Sequence, residues 1–588
     1  MVTYADRPWT KTYDPGTPKT LEPYPAITVQ QFLQDRAKKT PDHVALVSSA
    51  HLPVFGRVAS SIIYSELDHQ SDALAAALFD LGLKKGDRVA LVMPNISAFV
   101  ISYYAVLKAG GVVAATNPTY PPDKMQFQIN DCDATIVITM SLFYNMLKQI
   151  QPKTKVKTMI VTNVKEYLPP LAKFLFTVAR EKKEGHRIES LAPDDVWFQD
   201  VLAKYAGKKS TVNVTPEDLA LFQYTGGTTG VSKAAMATHQ ALVANTLQMR
   251  AWLLGDDPDG GEKDSFLGAI PMFHSFGMVA VLNVAIGIGS QIIMVPNARD
   301  LGDLLDCINI FKPTLFHGVP ALYNGINNHP DVKSGKVDLK SIRVCVSGSA
   351  PLPPATKREF ERISGGTLLE GFGMSEAPTA SHCNPVKGEN RAGSIGLPLP
   401  DMDVKIVSLD DGETEVPFGE VGELIMSGPQ VMMGYHGMPT ETANVLREKD
   451  GKRWLYSGDI ARMDENGYFY IVDRKKDMAL IGGFNVYPNT IEKVLTDHPA
   501  VLEAGVAAIP HPDKDKAGQE ALKAWIVVRP DQQVTEKELI AYCEAHLARY
   551  EVPTRFAFVS ELPKTTVGKT LRRELVQMEM ADREKVAK

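Results

Sequence analysis

From Tyr64 onward the chain alternates between two hydrophobic periods, and this alternation constrains its fold more than any other feature. The stretch YSELDHQSDALAAALFDLGL places Leu67, Leu74, Leu78 and Leu81 at helical spacing, and DRVALVMP follows as a short apolar run that reads as a buried strand. SAFVISYYAVLKAGG reads as an apolar helix closed by glycines, VVAATNP as a strand, and DATIVIT as another. A strand with no polar face cannot border water, so helices interleaved with such strands require a parallel sheet covered by helices. The predicted fold class is α/β.

At 588 residues the chain is too long for one core, and its length predicts roughly three or four units of ordinary domain size. Charges cluster before a glycine pair in DRKKDMALIGG, Asp473 to Gly483; beyond it VLEAGVAAIP and ALKAWIVV read as strands and TEKELIAYCEAHLARY as a helix. We read a hinge there, separating a large N-terminal domain of layered α/β subdomains, residues 1–474, from a small mobile α+β domain, residues 475–588. The segment YLPPLAKFLFTVAREKKEGHRIE, Tyr167 to Glu189, breaks the α/β rhythm with two prolines, an aromatic-aliphatic cluster and five basic residues from Lys173 to Arg187. Two readings stay open for it: a basic amphipathic helix lying on an anionic membrane surface, or an insertion packed on its own domain.

Composition narrows the function classes. Hydrophobic residues at 44% and charged residues at 22% are ordinary for a globular chain and exclude extensive disorder. With 63 basic against 69 acidic residues and a net charge of -6, the chain has no overall basic surface, so no nucleic-acid partner is expected. Cys132, Cys307, Cys345, Cys383 and Cys543 lie far apart without a CxxC pair and read as reduced, mostly buried thiols. The start, MVTYADRPWTKTYDPG, lacks the basic and apolar regions of a secretion signal, so a cytoplasmic setting is expected. The nearest approach to a transmembrane span, Met278 to Val295, is interrupted by Asn283, Ser290 and Gln291 and reads as core helix followed by strand.

The chemistry is concentrated in short glycine-rich stretches. YTGGTTGVSKAAM, Tyr224 to Met236, offers backbone N–H groups, hydroxyls and Lys233 to an anion. It is not the P-loop G-x-x-x-x-G-K-[ST], because Val231 and Ser232 separate Gly230 from Lys233 and alanine follows. VCVSGSAPLP, Val344 to Pro353, reads as a strand running into a narrow turn suited to a flat base. LLEGFGMSEAP, Leu368 to Pro378, reads as a strand entering a Gly-Phe-Gly turn that delivers Glu376, a carboxylate suited to Mg²⁺ beside a triphosphate. WLYSGDIA offers Asp459 to a ribose diol, and DRKKD offers Arg474 as a donor. Taken singly, an acid after a glycine turn is usually a helix cap and an arginine in a charge run is usually solvated.

In this order and spacing the motifs resemble those of adenylate-forming enzymes, the family of acyl-CoA synthetases, firefly-type luciferases and nonribosomal-peptide adenylation domains. The similarity runs from about Thr28 to Leu575. The family's phosphate loop is matched by TGGTTGVSKA, with Ala234 where glycine is usual. Its G-[YF]-G-x-[TS]-E is matched by Gly371 to Glu376, its [ST]-G-D by Ser457 to Asp459, its [GD]-R-x-[KD]-D by Asp473 to Asp477, and its C-terminal lysine motif by PKTTVGKTLRREL. The resemblance implies a two-step ligase using ATP, Mg²⁺ and coenzyme A. Thr225, Gly226, Gly227, Thr228, Thr229, Gly230 and Lys233 would bind phosphate. Ser349, Ala350, Pro351, Glu370, Gly371, Phe372, Gly373, Met374, Ser375, Asp459 and Arg474 would complete the ATP site. Thr225 and Glu376 would hold the metal, and Lys569 would bridge carboxylate and α-phosphate. Lys476 would be the hinge on which the C-terminal domain turns to bring Gly482 and Gly483 to the thiol's path.

The resemblance also bears on the acid. Amino-acid-activating relatives carry an aspartate where this chain has His274, Ser275 and Phe276, so an acid without an α-amino group is expected, with His274 beside its carboxylate. VLNVAIGIGSQ and FHGVPALYNGI would supply apolar walls around Met278, Gly287, Gly289, Gly318 and Val319, suited to an acyl tunnel. The greatest likeness, including the 167–189 insertion, is to bacterial long-chain fatty-acid:CoA ligases. Medium-chain or aryl-acid ligases, a fatty-acyl-AMP ligase loading a carrier protein, and an inactive lipid- or nucleotide-binding protein stay open as alternatives, as do membrane contact and homodimer formation.

Overall fold

The computed structural model describes residues 3–52, 56–225, 232–255, 261–511, 513, 519–564 and 570–587. The predicted α/β alternation is realised as an eight-stranded sheet. Its spatial order is Gly434–Tyr435, Lys233–Thr238, Leu219–Thr225, Val112–Ala115, Arg88–Val92, Ile136–Met140, Thr158–Thr162 and Val196–Trp197. From Leu219–Thr225 to Val196–Trp197 neighbours run parallel, while Lys233–Thr238 and Gly434–Tyr435 extend one edge antiparallel. The central strands are buried on both faces, which is why their sequences lack polar alternation.

Helix Tyr64–Asp80 buries Leu67, Leu74 and Leu78 but stops before Leu81, which is 38% exposed. The helical spacing extended to Leu81; Gly82, at φ +91°, turns the chain away first. Helix Ser97–Lys108 is buried all round, and the Lys108 ammonium at its end bonds Asp68 at 2.6 Å and Asp72 at 2.7 Å. Pairing on both sides is what allows that charge to be buried.

Two four-stranded sheets accompany the large one. One is ordered Ser265–Gly268, Gln291–Met294, Val44–Leu52, Gly56–Ile63; the other Val344–Ser347, Thr367–Met374, Ala377–Cys383, Leu397–Pro398. The Met278 to Val295 stretch is core helix followed by strand, as predicted, but it opens as a π-helix, Phe276–Asn283, before Val284–Ile288 and Gln291–Met294. Glycine is required near its start: a Cβ on Gly277 would sit 2.3 Å from the Pro271 carbonyl oxygen. The five cysteines are free and buried. Among the described residues no helix is long and apolar enough to cross a membrane.

The chain divides into two compact units, one of Trp9–Asp403 with Ser427–Leu446, the other of Met1–Pro8, Val404–Met426 and Arg447–Lys588. The expected division at 474/475 falls inside the second. Lys452–Met463 pairs with Phe469–Arg474, and Arg572, at the start of helix Arg572–Ala587, reaches Asp473 and Asp477 on either side of that point, each at 3.3 Å. Compactness therefore does not break there, whatever moves. The second unit also carries the hairpin Ala479–Ile481 and Phe484–Val486, and a three-stranded sheet of Val501–Pro510, Glu520–Val528 and Arg555–Phe558.

Of the two readings of the 167–189 segment, the structure shows the insertion packed on its own domain. Helix Pro170–Ala179 buries Ala172 and Phe176, and Glu181 beyond it accepts bonds from Lys165 and Asn163. Its outer face is bare, with Leu171, Phe174 and Val178 all exposed.

Candidate active site

Strands Leu219–Thr225 and Lys233–Thr238 set Thr225 opposite Lys233. The Ser232 hydroxyl donates to the Thr225 carbonyl at 2.9 Å and accepts from Gln128 at 3.2 Å, fixing the base of the phosphate motif. Gly226, Gly227, Thr228, Thr229 and Gly230 lie outside the described residues. The Lys233 ammonium is ion-paired with Glu441 and lies 5.3 Å from the centre of the Tyr435 ring. Tyr435 in turn donates its hydroxyl to Glu376 at 2.6 Å. Burial, and then the charge of Glu376, push the Tyr435 phenol well above its ordinary pKa, so it stays protonated and donating. The expected phosphate lysine and the expected metal carboxylate therefore converge on one tyrosine.

Glu376 is delivered differently from the sequence expectation. The strand Thr367–Met374 runs straight through Gly371, Phe372 and Gly373 and pairs with Ala377–Cys383, leaving Ser375 and Glu376 as the turn. The glycines serve close packing instead of a bend. A Cβ on Gly373 would lie 1.5 Å from the Thr379 carbonyl oxygen, and one on Gly371 would lie 3.0 Å from Val346. Asn245 secures the returning strand by accepting from the N–H groups of Thr379 at 2.7 Å and Ala380 at 3.2 Å.

Glu370, expected at the nucleotide, carries a buried carboxylate that acts as a brace. One carboxylate oxygen accepts from the Leu352 N–H at 3.1 Å, while the other has no partner among the described residues. Burial raises its pKa to about 7. The brace ties the strand to the turn of Ser349, Ala350 and Pro351, where Ser349 holds a left-handed φ of +71°.

A cavity of about 50 Å³ lies beside that turn, lined by His274, Phe276, Ser349, Phe372, Met374 and His382 among others, and among the described residues no lining side chain is charged. His274 accepts the Phe276 N–H on Nδ1 at 3.3 Å, and burial lowers its pKa to about 4. It is thus a neutral imidazole carrying its proton on Nε2 at pH 7. The expected acyl-wall residues do not line this cavity. Met278 is fully buried, Gly287 faces Thr246 and Phe32, and Gly289 caps helix Val284–Ile288 at φ +81° beside Arg36. Gly318 makes room for the Tyr323 ring, and Val319 caps helix Pro320–Asn328. Apolar glycine-rich sequence marked tight helix packing at these positions; Met249, Ala280 and Val346 supply the cavity's apolar wall instead.

On the second compact unit, Asp459 and Arg474 face each other across a strand pair, with Arg474 Nε 3.3 Å from the carboxylate. Lys476 is exposed, next to Lys475, which bonds Glu423 at 2.7 Å. Gly482 and Gly483, at φ +59° and +87°, form a two-residue hairpin turn with no atom near enough to touch an added Cβ. Lys569 lies outside the described residues. Arg572, three positions on, is held by Glu492 at 2.9 Å as well as by Asp473 and Asp477.

The sequence pattern of the AMP-binding enzymes matches residues 33–436, and that of the AMP-binding enzyme C-terminal domain matches residues 490–569. The chain belongs to the AMP-binding enzyme family. This AMP-binding enzyme is 40% identical over 576 residues to a long-chain-fatty-acid–CoA ligase of Bacillus subtilis, covering 98% of each chain. It is 36% identical to the ligase of the same name from Escherichia coli O6:H1, covering 94% of this chain and 97% of that one. Among solved structures it resembles ATP-bound MatB of Rhodopseudomonas palustris, with a TM-score of 0.78 and 27% identity over 94% of this chain and 99% of that one. Two residues that touch the expected site residues Lys233 and Glu376 escaped the sequence reading, Tyr435 and Glu441. Their signal, YHGMPTE after a long gap, carries no glycine-rich or charged pattern; only the pairing of Gly434–Tyr435 with Lys233–Thr238 brings them to the site.

Proposed function

We propose that this AMP-binding enzyme is an ATP-dependent acid:CoA ligase acting on long-chain fatty acids. In the first step the acid's carboxylate attacks the α-phosphorus of ATP and pyrophosphate leaves, giving acyl-AMP. In the second the sulfur of coenzyme A attacks the acyl carbonyl, AMP leaves, and the thiol proton passes to solvent. The reacting anions repel each other, so the site must supply positive charge where they meet.

Lys233 supplies one such charge, held in place over the Tyr435 ring. Glu376 fits a Mg²⁺ ion: its carboxylate is oriented by Tyr435, and no group of three His, Cys, Asp or Glu side chains forms a protein-only metal cage among the described residues. Mg²⁺ takes few protein oxygens and fills its shell from phosphate and water. Bound by Glu376 and Thr225, it would neutralise phosphate oxygens. Lys569 is assigned the bridge between carboxylate and α-phosphate, Asp459 and Arg474 the ribose, and Lys476 the hinge that exchanges Lys569 for the Gly482–Gly483 turn. A cytosolic setting suits the five free thiols.

The observation that carries the choice of acid is the uncharged cavity beside His274. Among the described residues it offers no carboxylate to a substrate ammonium and no cation to a second carboxylate. Near-full-length identity to long-chain ligases supports the long chain. The narrowness of the cavity favours a second reading, a shorter or aryl acid, because ligand pockets usually measure about 300–1,000 Å³. The test is pyrophosphate release across a panel of acids, with and without coenzyme A. Long-chain ligase action requires kcat/KM to rise with chain length and thioester to form; a peak at octanoate or benzoate selects the second reading, and no acid-dependent pyrophosphate removes both.

A further inference from the structure

We infer that the outer face of helix Pro170–Ala179 is a docking surface for an anionic lipid bilayer. Leu171, Phe174 and Val178 stand at i, i+3 and i+7 on that helix and are 52%, 63% and 71% exposed. This spacing places them along one side of the helix, opposite the buried Ala172 and Phe176. Scattered exposed apolar residues are ordinary on a protein surface, but three large ones aligned on one short helix form a continuous stripe. The helix is firmly seated beneath them. The Phe176 ring meets His186 edge-on at 5.6 Å, and His186 Nδ1 lies 2.9 Å from the Ser141 hydroxyl. The stripe is therefore a rigid outer face and does not depend on a helix that could turn inward.

Charge selects the occupant. From Pro170 to Lys183 the exposed charged side chains are Arg180, Lys182 and Lys183, with Lys173 half-buried; the exposed acid that follows, Glu184, is taken up by Arg180. The one acid in that stretch, Glu181, is buried against Lys165. Lys173 is paired with Glu166 and Arg180 with Glu184, whereas Lys182 and Lys183, on the turn that ends the helix, have no carboxylate within ion-pair reach among the described residues. An apolar stripe bordered by unpaired ammonium groups, on a chain of net charge -6, complements a surface that is hydrocarbon below and anionic above. A second copy of this chain would bring the same basic border against itself, which disfavours a self-paired contact.

The experiment is co-sedimentation of the full chain with vesicles of phosphatidylcholine alone and of phosphatidylcholine mixed with phosphatidylglycerol. Binding is expected to the mixed vesicles, and L171S/F174S/V178S should weaken it on the order of a hundredfold, since each side chain submerges more than half its surface. K182E/K183E should abolish the preference for phosphatidylglycerol while leaving the thermal unfolding midpoint unchanged, so the charge arm stands even if the triple variant folds poorly. The proposal is overturned if wild-type chain fails to bind either vesicle, or if the triple variant binds as well as wild type. It is equally overturned if sedimentation velocity shows a dimer that the triple variant dissolves, which would assign the face to a second copy.

Discussion

Replacing Tyr435 by phenylalanine isolates the contact that joins Lys233 to Glu376 in the proposed phosphate site. The ring remains beneath Lys233, so the 5.3 Å cation–π contact and the buried packing persist. What disappears is the 2.6 Å bond from the hydroxyl to Glu376. A hydrogen bond to a charged acceptor contributes about 1.5–3 kcal/mol, more than a neutral pair, because the acceptor's charge strengthens it. If that bond fixes the carboxylate where the metal–triphosphate complex forms, the loss belongs to the first half-reaction alone. At about 1.4 kcal/mol per tenfold, kcat/KM for acid-dependent pyrophosphate release should fall roughly 10- to 150-fold, with a raised Mg²⁺ requirement. Conversion of supplied acyl-AMP and coenzyme A to thioester needs no triphosphate and should change less than about twofold. Both reactions are followed in stopped aliquots, at several Mg²⁺ concentrations, on wild type and variant. A pyrophosphate rate within about twofold of wild type, or equal losses in both halves, would refute the reasoning.

Lys569→Ala should nearly stop adenylate formation while sparing thioester formation from supplied acyl-AMP; equal loss in both assays would deny the lysine its assigned role. Lys476→Pro, which fixes φ at the proposed hinge, should reverse that pattern, and an unchanged thioester rate would place the pivot elsewhere. Gly373→Ala forces a methyl carbon into the Thr379 carbonyl and should cost on the order of 3 kcal/mol or more, seen as a lowered thermal midpoint or loss of soluble protein. Burial lowers His239 and His274 to about 4 and His317 and His382 to about 3, against an ordinary 6.5. Below pH 6.5 the unfolded chain takes up these protons and the native state does not, so stability should fall with pH by about 1.4 kcal/mol per unit for each histidine until its folded pKa is reached. Chemical denaturation of His317→Phe between pH 7 and about 5 should show a shallower decline than wild type, and parallel curves would count against this linkage.

The parts of the fold carried by local pattern were legible in the sequence. The apolar strands of the parallel sheet and the core helix before Gln291 each follow from a period within a few residues. Of the expected site residues, Lys233 and Glu376 are brought to one tyrosine, Tyr435, by strands whose motifs the sequence displays. The sequence was not legible where glycine had several uses. Gly371 and Gly373 were read as a bend and proved to be a close strand crossing, and Gly287, Gly289 and Gly318 were read as pocket wall and proved to be packing and capping positions. A missing side chain reports that something comes near, without saying whether it is ligand, helix or neighbouring strand. Tyr435 and Glu441 were invisible for a different reason: a two-residue strand paired across a gap of some two hundred positions leaves no periodic trace.

If Lys233 holds phosphate as proposed, its ion pair with Glu441 puts an anion of the enzyme's own in the ligand's place. A phosphate arriving there would have to displace that tethered carboxylate. A lone sulfate or orthophosphate would bring few contacts to the exchange, whereas a nucleotide gripped along its whole length would bring many. Selectivity among phosphates would then arise from competition inside the chain, before any shape is recognised, and departing pyrophosphate would find the door closing behind it as the glutamate returns.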